Sequence, residues 1–490
     1  MGGLLSDDLA GVDALAQAEL VRRGEVGATE LVESAIERIE RVNPHLNAVI
    51  TPLYEGARQA ARALASGGGA GGPFAGVPFL MKDLMAHTAG DRFCAGMAVL
   101  KDLDYRPDHD TELAARFRAS GLITLGKTNT PEWGSVPTTE PLAFGATHNP
   151  WDLTRAPSGS SGGSAAAVAS GMVPMAAGGD GGGSIRTPAS ACGLFGLKPA
   201  HGRVPTGPDH GELWGGYAAE GVLSRTVRDS AAALDAVHGT GIGEASGAPT
   251  PRRPYLTEVQ AEPGRLRVGV LLDAPGGLCD VHPDCVRAVQ DSADLLASLG
   301  HHVEYAHPAA LDEAAELRRH FGVVVSAHQA ADFDDWERII GRPLTEADIE
   351  PVDWAVVQRA KARPAGRYFE SVAWIDRWRR RLCAWWGNVD LLATPTMATP
   401  PIPLGVMVAT PSDPLAGMAM AHPSIAFTSP FNASGQPAMS VPLHWSDEGL
   451  PIGVQLVADQ WREDVLFRVA GQLERARPWA SRRPPVWAGA

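Results

Sequence analysis

The chain has 490 residues, of which 44% are apolar and 20% charged, and its formal charge is −14. That length allows two to four domains and a large buried core, while the acidic balance and the lack of a basic run exclude a nucleic-acid binder. No stretch of 18 apolar residues runs free of polar or glycine breaks, and MGGLLSDDLAG lacks the basic and apolar regions of a signal peptide, so neither a membrane span nor secretion is expected. MGGLLS fits a myristoylation pattern superficially, which we treat as chance. Five cysteines, Cys94, Cys192, Cys279, Cys285 and Cys383, form an odd and sparse set, as expected for reduced thiols in the cytoplasm.

The first 60 residues read as helices. Thr29 is placed to cap a helix whose apolar stripe is Val32, Ile36, Ile39 and Val42, and Asn43-Pro44 is expected to end it. Ser66–Pro73 (SGGGAGGP) reads as a flexible linker. Val77–Met81 is a short apolar strand with Lys82 at its end, Thr111–Gly121 a helix and Leu122–Gly126 a buried strand. Helix and strand alternate in this way to Thr240, which predicts an α/β sheet covered on both faces. After a second linker, Gly241–Pro254, come a strand at Arg265–Leu272, a helix at Pro283–Leu299 and His301–Pro308. Residues 309–385 read as helical, and the C-terminal part returns to strand and loop.

The most unusual stretch is Gly159–Pro199, in which two serine–glycine clusters place Ser160 and Ser184 24 positions apart around an Ala-rich segment. Glycine runs cost backbone entropy and add no packing, so they mark backbone held near a ligand or bent into unusual conformations. Gly181, Gly182 and Gly183 can turn successive N–H groups toward one point next to the Ser184 hydroxyl, as the oxyanion of acyl transfer requires. Alone, GGGS reads as a turn-rich loop. Lys82, alone, reads as a solvated strand-end lysine paired with Asp83, although the end of an apolar strand can also desolvate it toward the neutral amine.

Read together, GVPFLMKDL (Gly76–Leu84), LGKTNTPEWG (Leu125–Gly134), GATHNPWD (Gly145–Asp152), the Gly159–Pro199 stretch and GLKPAHGRVP (Gly196–Pro205) occur in a set order. LLATPT (Leu391–Thr396), PFNASGQPAMSVP (Pro430–Pro442) and GLPIGVQLVA (Gly449–Ala458) complete it. This ordered set resembles the amidase signature family of Ser-Ser-Lys amide hydrolases over nearly the whole chain. Spacing and flanks are most similar to the family's hydrolases of cyclic amide dimers. The resemblance implies one α/β domain over residues 1–490 with a mixed central sheet covered on both faces. Its expected parts are an N-terminal helical segment (1–65), a catalytic core (74–240), a variable region (255–385) and a C-terminal part of the core (386–490).

The resemblance also implies Ser184 as nucleophile, Ser160 as bridging serine after a cis peptide bond from Gly159, and Lys82 as base. The backbone N–H groups of Gly181, Gly182, Gly183 and Ser184 would hold the oxyanion. Asp180 and Arg186 would serve as scaffold, and Ser161 and Ser164 as loop and helix-capping hydroxyls. Positions 179 and 181 depart from the family wording, which commonly has hydroxyl residues there; both are glycine here. The implied substrate is a neutral, bulky or hydrophobic carboxamide, linear or cyclic, anilide or carbamate. No cofactor or metal is implied, and a homodimer stays open. The alternative is the glutaminase subunit of a tRNA-dependent amidotransferase.

Other motifs carry less. GLITLGKT (Gly121–Thr128) fits a phosphate-loop pattern, but its residues read as helix end and strand. GSSGG (Gly159–Gly163) fits a nucleophile elbow at Ser161 without the preceding strand. Cys279, His282 and Cys285 in CDVHPDC lack a fourth metal ligand at suitable spacing. The RRR at Arg379–Arg381 reads as a solvated helix edge. His87 and His201 lie near the motifs without a triad context. Pocket walls are expected from Trp133–Phe144, Thr206–Tyr217 and Leu317–Ile340, with Trp133, Phe144, Trp214, Phe321 and Val323–Ala327 each as pocket or core.

Overall fold

The computed structural model describes residues 6–68, 71–410 and 412–489; the MGGLL start and part of the first linker lie outside the described residues. Eleven strands form one mixed sheet: β1 (Val49–Pro52), β2 (Pro78–Lys82), β3 (Ile123–Thr128), β4 (Met175–Asp180), β5 (Phe195–Lys198), β6 (Ala219–Ser224), β7 (Arg267–Val270), β8 (His302–Glu304), β9 (Leu391–Pro395), β10 (Ala438–Trp445) and β11 (Pro451–Ala458). Their spatial order is β1-β3-β2-β4-β6-β5-β10-β11-β9-β7-β8. β3-β2-β4 and β8-β7-β9 run parallel, whereas β4-β6-β5-β10-β11-β9 pair antiparallel.

Both faces are covered, and β2 shows why its sequence is apolar throughout. Phe79 and Met81 enter the core beneath helices Glu112–Ala119 and Val227–Val237. Leu80 enters a second core with helices Ala28–Leu46 and Gly162–Ala169. A strand alternates its side chains between faces, so a doubly covered strand must be apolar at every position. Lys82 continues the Leu80 face. Asp83 turns elsewhere: it accepts from the Cys94 N–H at 3.1 Å and sits 3.8 Å from Lys127. The Lys82–Asp83 pairing that the isolated segment suggests is therefore not formed.

Several local expectations need correction. The helix predicted from Thr29 starts at Ala28 after Gly27, whose N–H donates to the Glu30 carboxylate at 2.6 Å. It runs to Leu46 with Pro44 inside its last turn, where a missing N–H and a local clash disturb little that follows. The Asn43 side chain accepts from the N–H groups of Ala48 and Val49 at 2.8 Å each, and this leads the chain into β1. β1 falls inside the stretch that reads as helical, because VITP is too short to show a period. The stripe itself is correct: Val32, Ile36, Ile39 and Val42 are buried.

GLITLGKT forms β3 rather than a phosphate loop. In CDVHPDC, His282 caps the helix Pro283–Ser298 and Cys285 packs into the core. Phe321 stacks on Tyr217 at 5.4 Å and Val324 is fully buried, so both are core. Phe144 lies under the Lys101 ammonium. No helix among the described residues is long and apolar enough to cross a membrane.

Candidate active site

Lys82, Ser160 and Ser184 line one small chamber of about 30 Å³. Lys82 reaches it as the last residue of β2. Its Nζ lies 2.6 Å from Ser160 Oγ, and both residues are buried. Burial pushes the Lys82 amine down from its ordinary value to about 7, with Glu220 and Asp180 pulling it partly back. At that value a large fraction is neutral near pH 7.

Ser160 follows a cis Gly159–Ser160 peptide. A Cβ on Gly159 would lie 2.3 Å from the Thr138 carbonyl oxygen, so only glycine permits this close approach. The Gly159 carbonyl accepts from Thr187 Oγ1 at 3.1 Å, tying the first serine loop to the helix that follows the second. Ser164 is a brace and not the expected capping hydroxyl, and Ser161, on the loop as expected, makes no side-chain cap and braces as well. Ser161 Oγ donates to the Gly179 carbonyl at 3.2 Å, and Ser164 Oγ donates to the Ala177 carbonyl at 2.7 Å. Both bind the helix Gly162–Ala169 to β4 because that helix is buried and lies against the strand.

Ser184 ends the loop that leaves β4. Behind it, Asp180 accepts from the N–H groups of Ile185 and Arg186 and from Arg186 Nε and Nη2. Arg186 also donates to the Thr428 carbonyl, Gln455 Oε1 and Asn432 Oδ1. Burial alone would raise the Asp180 carboxyl, but the Arg186 guanidinium outweighs it and holds it at about 2. Thr428 Oγ1 donates to the Gly182 carbonyl at 2.6 Å, and Gly183 adopts φ +140°. Among the described residues, no hydrogen bond joins Ser184 to Ser160.

The two glycine departures have different causes. A Cβ on Gly181 would lie 2.6 Å from the Trp214 ring, so Trp214 occupies the space a side chain would need. A Cβ on Gly179 would sit 3.9 Å from both Lys82 Nζ and Glu220 Cγ, an ordinary van der Waals contact that excludes no side chain by itself. Glu220 faces Gly179 across the β4–β6 register and lines the chamber. Its carboxyl is pushed up to about 7 by burial, partly offset by the Ala86 N–H and by Lys82. The sequence reading gave Glu220 no role; a lone Glu in AAEGVLS carries no local signal.

Leu84, Met85, Trp133 and Trp214 separate the chamber from an outer cavity of about 530 Å³ and line both. Trp133 and Trp214, each read from the sequence as pocket or core, stand in the wall. The cavity also takes Phe93 and Tyr105 from the two loops that flank the short helix Ala98–Asp102, to which the sequence reading gives no role, and Trp336 and Ile339 from the helix Ala314–Ile340. Its rim is more charged than expected, with Arg106, Asp209, Asp332, Asp335 and Arg338. Arg106 is paired with Asp104, and Arg338 with Asp335.

The amidase family model matches residues 30–467. The chain belongs to the amidase signature family. It is accordingly a hydrolase of amide C–N bonds. It is 45% identical over 482 residues to a 6-aminohexanoate-cyclic-dimer hydrolase of Paenarthrobacter ureafaciens, covering 97% of this chain and 96% of the relative. The solved structure of a 6-aminohexanoate cyclic dimer hydrolase complexed with substrate superposes with TM-score 0.92 at 43% identity, over 97% of this chain and 99% of that one. A bacterial aryl acylamidase of the same family follows at TM-score 0.87 and 28% identity, over 98% and 99%. The fold expectation of one α/β domain around a mixed sheet agrees with these structures.

Proposed function

We propose that this amidase hydrolyses a neutral, bulky carboxamide through Ser184, Ser160 and Lys82, with a cyclic amide dimer as the first substrate to try and an aryl anilide or carbamate next. The observation that carries the reading is the 2.6 Å contact between a desolvated Lys82 amine and Ser160 Oγ, in a chamber that Ser184 shares.

In this reading neutral Lys82 takes the proton of Ser160 as Ser160 takes that of Ser184. Ser184 Oγ attacks the amide carbon, and the N–H groups of Gly181, Gly182, Gly183 and Ser184 hold the oxyanion. The relay then returns the proton to the leaving nitrogen, which would otherwise depart as a poor amide anion. Water enters by the reverse path and hydrolyses the acyl-enzyme. Asp180 and Arg186 hold the loop and do not exchange protons.

The substrate class follows from the walls. Next to the chamber, Leu84, Met85, Trp133, Leu213 and Trp214 are apolar. A charge desolvated there without a partner costs several kcal/mol. The outer cavity has room for a ring or aryl group. The names of the relatives, a cyclic-dimer hydrolase and an aryl acylamidase, describe amides of that kind. All five cysteines are free, which supports the expected cytoplasmic location.

The test is labelling with a fluorophosphonate, followed by a substrate panel. The probe should add to Ser184, and Ser184→Ala should lose label and turnover together. The cyclic dimer of 6-aminohexanoate, an aryl anilide and a carbamate should each exceed free glutamine in kcat/KM by orders of magnitude. Faster hydrolysis of glutamine would replace this reading with the amidotransferase alternative.

A further inference from the structure

We propose that His87, His109 and Asp209 form a binding site for one divalent transition-metal ion of the Zn²⁺ type on the wall of the outer cavity. The three side chains come from separate loops, and one ligand atom from each lies within 4.8 Å of the others. All three line the cavity.

The hydrogen bonds decide which nitrogens are available. His87 Nδ1 is 3.0 Å from the Met85 carbonyl, and a carbonyl only accepts, so Nδ1 carries the hydrogen. Burial disfavours a second proton on this ring. His87 Nε2 then presents a lone pair toward Asp209 Oδ2 at 3.5 Å. Two acceptors face each other there with no hydrogen between them. His87 Nε2 has no hydrogen-bond partner, although the residue is only 8% exposed. A cation between the two satisfies both.

His109 directs its Nε2 at the same carboxylate but is hydrogen-bonded to it. Its Nδ1 lies 2.8 Å from Asp108 Oδ1 and its Nε2 lies 2.8 Å from Asp209 Oδ1. Both acceptors are carboxylate oxygens, so both ring nitrogens carry hydrogen in the metal-free protein, and an ion would take the place of the Nε2 hydrogen. Each imidazole thus has Nδ1 anchored by an oxygen acceptor and Nε2 directed at one carboxylate, which is how ligating histidines are oriented by their outer partners. Zinc–nitrogen bonds of about 2.0–2.1 Å in tetrahedral geometry separate ligand atoms by about 3.4 Å. Through Asp209 Oδ2 the 3.5 Å pair already fits, and His109 Nε2, now 2.8 Å from the other oxygen Oδ1, turns from that oxygen to the ion.

The side chains of His109 and Asp209 are 44% and 32% exposed, so water or a ligand in the cavity reaches the fourth position. The ion would tie the loop of Asp209, which also carries Trp214, to the loops of His87 and His109. Its three ligands line the outer cavity and not the chamber of the proton relay proposed above, and it supplies no step of that relay.

The test is isothermal titration of ZnCl₂ into chelator-treated full-length enzyme. Wild type should bind one ion with micromolar affinity, and Cys279→Ser should match it. His109→Ala and Asp209→Asn, both at exposed positions, should bind at least tenfold more weakly. Absence of zinc binding by the wild type, wild-type binding by these two variants, or loss of binding in Cys279→Ser would each overturn the proposal. Cobalt loading of the wild type gives a reading that needs no variant. Visible d–d bands without a thiolate charge-transfer band are expected, and a thiolate band would place the ion on cysteine and refute the site.

Discussion

Two pairs of buried opposite charge surround the end of β4, and they behave differently. Asp180 and Arg186 are fully buried and 2.8 Å apart, and the guanidinium donates to Asp180, Thr428, Gln455 and Asn432. Lys82 and Glu220 are also buried, yet no ion pair joins them among the described residues, and each titrates at about 7. A buried pair with its hydrogen bonds satisfied stays ionised across the working range, since removing either charge strands the other. A pair held apart keeps most of its desolvation penalty, so the carboxyl rises, the amine falls, and a proton can move near neutrality. The first pair fits a pedestal and the second a site for proton transfer.

Removing the proposed base should break this comparison most sharply. Lys82→Ala should keep its fold, since a buried charge is lost, and lose roughly four orders of magnitude in kcat/KM, the scale for a member of a catalytic triad. Circular dichroism and steady-state kinetics on a neutral amide check both parts. Near-wild-type rates in a folded variant would remove Lys82 from the mechanism.

The pedestal should respond in stability. Arg186→Met strands the Asp180 carboxylate and should cost about 3–5 kcal/mol. Denaturant unfolding with a probe of global structure measures it. A variant as stable as the wild type would show that the Asp180–Arg186 network does not hold the Ser184 loop.

The pH profile tests the poised pair directly. The proposed relay needs the neutral amine, and Lys82 is lowered from 10.5 to about 7. Activity should therefore hold above pH 8 and fall on acidification through pH 7, approaching tenfold per unit at lower pH. A flat rate from pH 8 to pH 5.5 would contradict a lysine base.

The smallest effect should come from Glu220→Gln. Ionised Glu220 favours the protonated lysine, so its neutral replacement should move the acid limb of kcat/KM to lower pH by less than about one unit. A shift to higher pH, or none, would show that the Glu220 charge does not reach Lys82. Because the limb and not the plateau is read, a merely structural change at position 220 would not mimic this outcome.

Much of the chamber was legible because its parts repeat local patterns. Two glycine–serine clusters and a lysine closing an apolar strand are visible one segment at a time, and the structure brings Lys82, Ser160 and Ser184 to one chamber. Legibility failed where a role depends on a distant partner. Ser164 read as a cap because hydroxyls near helix starts often are, but its partner is the Ala177 carbonyl on the neighbouring strand. Gly181 read as a departure from the family wording, and only the Trp214 ring explains it.

The sequence by itself determined the family, the α/β class and the residues of the signature, since periodicity and ordered motifs are properties of the chain. The tertiary structure decided the environment of each group. It set Lys82 against Ser160 instead of Asp83, placed Glu220 beside Gly179, and built the outer cavity from loops far apart in the chain. His109 and Asp209 are 100 positions apart, yet they lie in hydrogen-bond contact. Desolvation and Coulomb interactions depend on distance in space, so the chemistry of these groups is set by packing and not by spacing along the chain.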